Sequence, residues 1–322
     1  MFAGILAGVT WAVETIVLGI ALAMSPFVTT EQAVVLAPFA STFLHDFFSA
    51  IWACIYNGIR GNLPGLGRAI KTKSGKFVAL AAVIGGPVGM TGYVLSINNM
   101  GASIGAVASA VFPAIGAVLA YIFLKEKMAW YRWVFLVLSL LGVYGLSYSP
   151  EVNITNFWLG FAGTLMCAFG WGIEAVIIAK CVQDEAVTDE IALQIRQTTS
   201  ALIYGIVILP IMKGWGFTIS LFDNTGWLIP VIAIAALFAT ASYLFYYKAI
   251  SRIGASKSMA LNITYSAWAV VFSIIFLRDY GLLNPVTIVC TLAVLVFGIL
   301  AGADYKELVE KKKQENEEEL QK

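Results

Sequence analysis

The sequence predicts an all-α integral membrane protein with ten transmembrane helices, arranged as two inverted five-helix repeats. Three observations carry this reading. First, 60% of the 322 residues are hydrophobic and only 12% are charged. A soluble domain averages roughly 45–50% apolar and about 25% charged, so a surplus this large does not fit inside a water-soluble core. Second, the apolar residues form ten continuous stretches, each near the roughly 20 residues that a membrane helix takes. Third, motifs of the first half return in the second. Continuous rather than alternating stretches exclude a β-barrel. A net charge of +1 gives no global field for a polyanion, so nucleic acid is not an expected partner; the bilayer is.

The stretches lie near 2–24, 32–56, 77–97, 101–124, 130–149, 157–181, 189–212, 226–248, 254–277 and 282–303. The first passes through Trp11 and Glu14 without a basic leader, so it reads as a span and not a cleaved signal peptide. The second holds His45, the chain's one histidine, beside Asp46. The basic segment 57–76 follows. Its glycines between Gly61 and Gly67 suggest a phosphate loop, but no Gly-Lys-Ser/Thr follows, and the segment reads as a flexible loop. The third stretch is interrupted by Gly85-Gly86-Pro87 and Gly89, and carries Tyr93 one turn later. Broken membrane helices are tolerated where the freed backbone lines a cavity. Gly4 with Gly8, and Gly101 with Gly105, have the spacing of close helix packing. The sixth stretch carries Trp171 and Glu174, the seventh Arg196, and the ninth Tyr265 and Trp268. The tail 304–322 alternates acids and bases and reads as solvated. Cys54, Cys167, Cys181 and Cys290 are isolated, without metal or redox spacing. No phosphate loop, metal-ligand spacing or nucleophile–base pair stands out. No metal, no cofactor and no enzymatic activity are therefore expected.

Charge sets the orientation. With the N-terminus inside, the cytoplasmic loops hold Arg60, Arg68, Lys71, Lys73, Lys76, Lys125, Lys127, Arg132, Lys180, Lys248, Arg252 and Lys257, and the basic tail joins them. Outside loops hold only Lys213 and Arg278. The positive-inside rule then places both termini in the cytoplasm, which requires an even number of spans.

The repeat is visible at fixed offsets. Gly101-Ala102-Ser103 returns as Gly254-Ala255-Ser256, and Phe123-Leu124-Lys125-Glu126 meets Phe276-Leu277-Arg278-Asp279, both 153 residues on. Trp11-Ala12-Val13-Glu14 meets Trp171-Gly172-Ile173-Glu174 at an offset of 160. The halves are 1–150 and 151–303, with five spans each. An odd number turns the second half upside down, and inverted repeats are a common build of secondary transporters.

Few charges fall inside the stretches: Glu14, Asp46, Glu174 and Arg196, joined by His45. Each costs about 2.5–3.5 kcal/mol at mid-bilayer, so they must face a wet cavity or one another. Two readings stand, a structural polar network and a substrate or proton pathway. Trp11 with Glu14, and Trp171 with Glu174, are i and i+3 and share a helix face. A carboxylate beside an indole suits an organic cation, through charge and cation–π attraction. Tyr93, Tyr246, Tyr265 and Trp268 are further candidates for such a cage, though aromatics in membrane helices also serve packing. A histidine with an unperturbed pKa of about 6.5 suits proton handling.

The ten stretches, the five-plus-five repeat and the Gly-Ala-Ser starts resemble the drug/metabolite transporter (EamA-like) superfamily over about residues 2–303. Within it, Phe43-Leu44-His45-Asp46-Phe47, Gly86-Pro87-Val88-Gly89-Met90, Trp171-Gly172-Ile173-Glu174, Ile195-Arg196-Gln197-Thr198 and Tyr265-Ser266-Ala267-Trp268 resemble the bacterial Lic-type choline permeases. The resemblance implies choline uptake across the cell membrane. It also implies a site lined by Trp11, His45, Trp171, Glu174, Tyr265 and Trp268. Glu14 departs from that pattern and resembles the membrane glutamate of small multidrug-resistance exporters, which are antiparallel dimers. Proton-coupled import of a choline-like cation and proton-coupled export of cationic drugs or metabolites both stand at this point, as do monomer and dimer.

Overall fold

The computed structural model describes residues 1–148, 154–223 and 226–303, with the backbone alone over 102–109. The charged tail 304–322 and the junction near 150 lie outside the described residues. Among the described residues every regular element is helical. In chain order these are α1 (Phe2–Leu22), α2 (Glu31–Ile59), α3 (Leu63–Ala69), α4 (Lys73–Met100), α5 (Ala102–Leu119), α6 (Trp130–Ser147), α7 (Phe157–Cys181), α8 (Asp189–Ile211), α9 (Trp215–Asp223), α10 (Leu228–Ile253), α11 (Ala255–Phe276) and α12 (Pro285–Gly302). Nine of them are long and apolar enough to cross a bilayer. The other expected span, 101–124, corresponds to α5 and the turn that continues it to Leu124. Its described side chains cover Ala110–Leu124, all within one apolar helix.

Polar side chains start the helices where the sequence offers them. Thr30, Thr72, Asn156, Thr188 and Asn284 each accept a hydrogen bond from a backbone N–H in the first turn of α2, α4, α7, α8 and α12, replacing partners that helix ends lack. Gly101 and Gly254 end α4 and α10 with φ of 87° and 86°, a conformation that favours glycine.

Two expectations are corrected. The segment 57–76 is not a flexible loop throughout. Pro64 sits in the first turn of α3, where its missing N–H costs nothing, and Leu66 packs on the main core. Asn62 donates to Glu190 Oε2 at 3.0 Å, tying this segment to α8. Arg132, expected in a loop, lies in the first turn of α6, fully buried, with its Nε donating to the Ala301 carbonyl at 2.7 Å.

The helices pair as α1 with α10 and α11, α4 with α7 and α8, α2 with α8 and α10, α5 with α6, α7 and α11, and α12 with α6 and α11. Gly4 and Gly8 of α1 face Leu261 and Thr264 of α11, the close approach their spacing predicts. Three helices are locally irregular around the centre. α4 contains a π-helical turn over Ile84–Val88, α8 another over Tyr204–Ile208, and α11 breaks between Asn262 and Tyr265.

Candidate functional site

A central cavity of about 380 Å³ is lined by side chains from α1, α2, α4, α5, α7, α8, α10 and α11. That is within the roughly 300–1,000 Å³ of small-molecule sites. It extends along α1 from Trp11 through Glu14, Thr15 and Leu18 to Leu22, toward the end of α1 away from the N-terminus.

The charged residues that the sequence marks as misplaced converge here. His45 Nε2 lies 3.4 Å from Glu14 Oε1, and His45 Nδ1 lies 3.0 Å from Asp46 Oδ1. Arg196 Nη1 lies 3.6 Å from Asp46 Oδ1, and Arg196 Nε donates to Glu174 Oε1 at 2.8 Å. Glu14 and Glu174 are thus joined through His45, Asp46 and Arg196 in one chain of charged contacts. All five line the cavity, and the three acids and Arg196 are each under 8% exposed. Three carboxylates face one guanidinium and one imidazole, a balance that favours added positive charge.

Neutral partners hold the chain in place. Ser200 Oγ donates to Asp46 Oδ2 at 2.5 Å. Arg196 Nη1 donates to Gln197 Oε1 at 2.6 Å, and Gln197 Nε2 donates to Ser49 Oγ at 2.6 Å. Ser49 Oγ is in turn 2.7 Å from Thr240 Oγ1. This second row fixes rotamers that the sequence left free.

Rings surround the charges. Trp11 lies 5.3 Å from Tyr243 and 5.9 Å from Tyr265 by ring centroids. Trp171 lies 5.9 Å from Tyr93 and 5.7 Å from Phe112. The Arg196 guanidinium carbon sits 4.7 Å from the centre of the Tyr243 ring. Trp171 Nε1 donates to the Gly85 carbonyl at 2.9 Å. That carbonyl belongs to the π-helical turn over Ile84–Val88. Gly85 itself is required by Glu174, because a Cβ there would overlap the Glu174 carboxylate.

Trp11, Glu14, His45, Asp46, Tyr93, Trp171, Glu174, Arg196 and Tyr265 therefore come together, as does Tyr246. Trp268 does not line this cavity. It lies one turn further along α11 than Tyr265, and its ring stacks on Phe272 at 6.1 Å. Sequence reasoning missed Phe112, Tyr243, Tyr247 and Asn262, all of which line the cavity. Tyr243, Tyr246 and Tyr247 follow i, i+3, i+4 spacing, a one-face signal that was there to find. Asn262 ends the first segment of α11, and a lone neutral amide there did not stand out in the sequence.

Residues 1–148 match the EamA-like transporter family. Protein LicB of Haemophilus influenzae is 30% identical over 228 residues, which is 71% of this chain and 75% of LicB. A solved crystal structure at 14% identity superposes with a TM-score of 0.66, covering 94% of this chain and 96% of its own, so the fold is shared. Taken with the helices and the buried charged cavity, these likenesses place the chain in the EamA-like transporter family, as a multi-pass membrane transporter akin to LicB.

Proposed function

We propose that this transporter carries choline, or a closely related quaternary ammonium compound, into the cell. The observation that carries this reading is the central cavity. In it the Glu174 carboxylate and two more acids lie among the rings of Trp11, Trp171, Tyr243 and Tyr265. A quaternary ammonium has no N–H to donate, so ring faces and net negative charge are what attract it. Asn262 Oδ1 is buried and has no hydrogen-bond donor among the described residues. It is an acceptor for the hydroxyl of choline.

Ten spans in two inverted repeats fit the helix pairings. Exchanging α1, α2, α4, α5 and α6 for α7, α8, α10, α11 and α12 turns α1–α10 into α7–α4, α2–α10 into α8–α4, α1–α11 into α7–α5, and α5–α6 into α11–α12. Each of these pairs occurs. Gly101 with Gly254, and Lys125 with Arg278, have matching positive φ at the repeat offset. With both termini cytoplasmic in the cell membrane, the cavity that runs to Leu22 faces outward. Both repeat-related acids sit in one chain, so a single copy holds a complete site.

The membrane potential drives a cation inward by about 2.3 kcal/mol per 100 mV, and the Glu14–His45–Asp46 contacts offer a path for a co-transported proton. The same contacts also support the second reading, proton-coupled export of cationic drugs or metabolites. The test is radiolabelled choline flux in proteoliposomes with imposed potential and pH gradients. Uptake with alkalinisation of the medium is expected. Proton movement opposite to choline selects the exporter, and no flux by the folded protein rejects choline.

A further inference from the structure

A second and larger cavity, about 820 Å³, lies away from the central one, in a groove over α7. α7 forms its floor, with α4 on one side and the end of α5 on the other. Phe169, Ile173, Val176, Ile177 and Lys180 of α7 line it, the spacing of a single helix face. That face is apolar until its last member, which is a lysine. On α4, Lys73 lies beside it, with its ammonium 5.9 Å over the Phe77 ring. α4 and α7 run antiparallel, since Gly92 faces Gly163 and Gly85 faces Glu174. Lys73 and Lys180 therefore stand at the same end. Both are exposed, and among the described residues neither is ion-paired. Asp184, in the loop after α7, is already engaged: its Oδ1 accepts the Ala186 N–H at 3.0 Å, and Ser74 donates to it as well.

We propose that this groove is a binding site for one anionic phospholipid, with the phosphate between Lys73 and Lys180 and an acyl chain along Phe169, Ile173 and Ile177. The dimensions fit. From Phe169 to Lys180 is about 16 Å at 1.5 Å per residue, close to the roughly 15 Å of one leaflet's hydrocarbon. Phe77, Phe123 and Phe169 are each over 40% exposed, an apolar wall that hydrocarbon covers and water does not. Basic pockets between membrane helices on the cytoplasmic side bind anionic headgroups. The apolar floor distinguishes a lipid from a free phosphate.

The test is native mass spectrometry of the delipidated full-length protein, titrated in parallel with dioleoyl phosphatidylglycerol, dioleoyl phosphatidylcholine and glycerol phosphate. One phosphatidylglycerol is expected to be retained at least tenfold more tightly than phosphatidylcholine, with glycerol phosphate not retained. Lys73→Gln with Lys180→Gln should weaken it at least tenfold. Lys248→Gln with Arg252→Gln, the same charge change elsewhere, should leave it unchanged. Ile177→Trp, which fills the groove and keeps both lysines, should also expel it. A phosphatidylglycerol with a photoreactive acyl chain should label the segment 165–181. Equal retention of the two lipids, retention of glycerol phosphate alone, equal loss in the two charge pairs, retention by both groove variants, or labelling confined to other segments would each overturn the proposal. None of these readouts depends on choline transport.

Discussion

Arg196 occupies the two features that a quaternary ammonium would use. Its Nε is hydrogen-bonded to Glu174 and its guanidinium lies over Tyr243, so an incoming cation competes with a side chain already in place. Removing one member of a buried ion pair costs about 3–5 kcal/mol, because the other charge is left without compensation. Arg196→Gln should therefore lower the unfolding temperature in detergent sharply, and adding Glu174→Gln should restore much of it. A double-mutant cycle read by thermal unfolding checks this, and simple additivity would contradict the pairing. For binding, Trp171→Ala should weaken choline up to about thirtyfold, the equivalent of roughly 2 kcal/mol of desolvated cation–π attraction. Trp268→Ala should leave binding unchanged, because its ring turns to Phe272 instead. A choline titration followed by thermal shift separates the two. On the proposed mechanism His45→Gln breaks the path between Glu14 and Asp46. Uptake driven by potential should then persist while the added effect of a pH gradient disappears, and an unchanged pH response would remove His45 from the coupling. The type and position of these residues were legible in the sequence. Their partners were not, because a helix position states which face a side chain takes and leaves open what stands opposite.

At the scale of elements, local irregularity positions the site. The π-helical turn in α4 carries the Gly85 carbonyl to which Trp171 donates and leaves room at Gly85 for Glu174. Gly85→Ala should keep the helix, whose interior accepts alanine well, yet displace Glu174 and abolish the choline-induced thermal shift. A full shift in that variant would mean that Glu174 moves without consequence. The motif Phe123-Leu124-Lys125-Glu126 stands in the sequence only as the counterpart of Phe276-Leu277-Arg278-Asp279. In the fold, Glu126 reaches the start of α11, where Oε1 accepts from Ala255 N–H at 2.8 Å and Oε2 accepts from Ser256 N–H at 2.9 Å and Ser256 Oγ at 2.7 Å. It is a carboxylate cap supplied from the other half of the chain, favoured by the helix dipole. Glu126→Ala should cost about 1.5–3 kcal/mol, the scale of hydrogen bonds to charged groups. The short helices α3 and α9 escaped the hydropathy reading because neither is long enough to register as an apolar stretch.

For the whole molecule, the membrane potential acts on the charge of the proposed cargo. A cation crossing into a cell at 100 mV, inside negative, gains about 2.3 kcal/mol, which is close to fiftyfold accumulation. On the proposed function, proteoliposomes held at that potential without a pH gradient should reach about this ratio if one charge moves per choline. A ratio that rises further when a pH gradient is added would count a proton in. Helices from both halves of the chain meet at the cavity, and Glu14 and Glu174 both face it.

Composition and the apolar stretches by themselves determined that the chain is a helical membrane protein, since lipid accepts only backbones whose hydrogen bonds close within the segment. Motif offsets marked Glu14 and Glu174 as a pair, and the cost of charge in a bilayer singled out Asp46 and Arg196 beside them. Only the tertiary structure decided that these charges form one connected chain, that Tyr243 and Asn262 belong to the cavity, and that Trp268 does not. The physical reason is that the apolar character of a span is readable from its own residues, whereas the partner of a buried charge comes from another helix. Glu174 and Arg196 lie 22 residues apart in sequence, and Ser200 and Asp46 lie 154 apart. Such separations are closed by packing between helices, which no local pattern encodes.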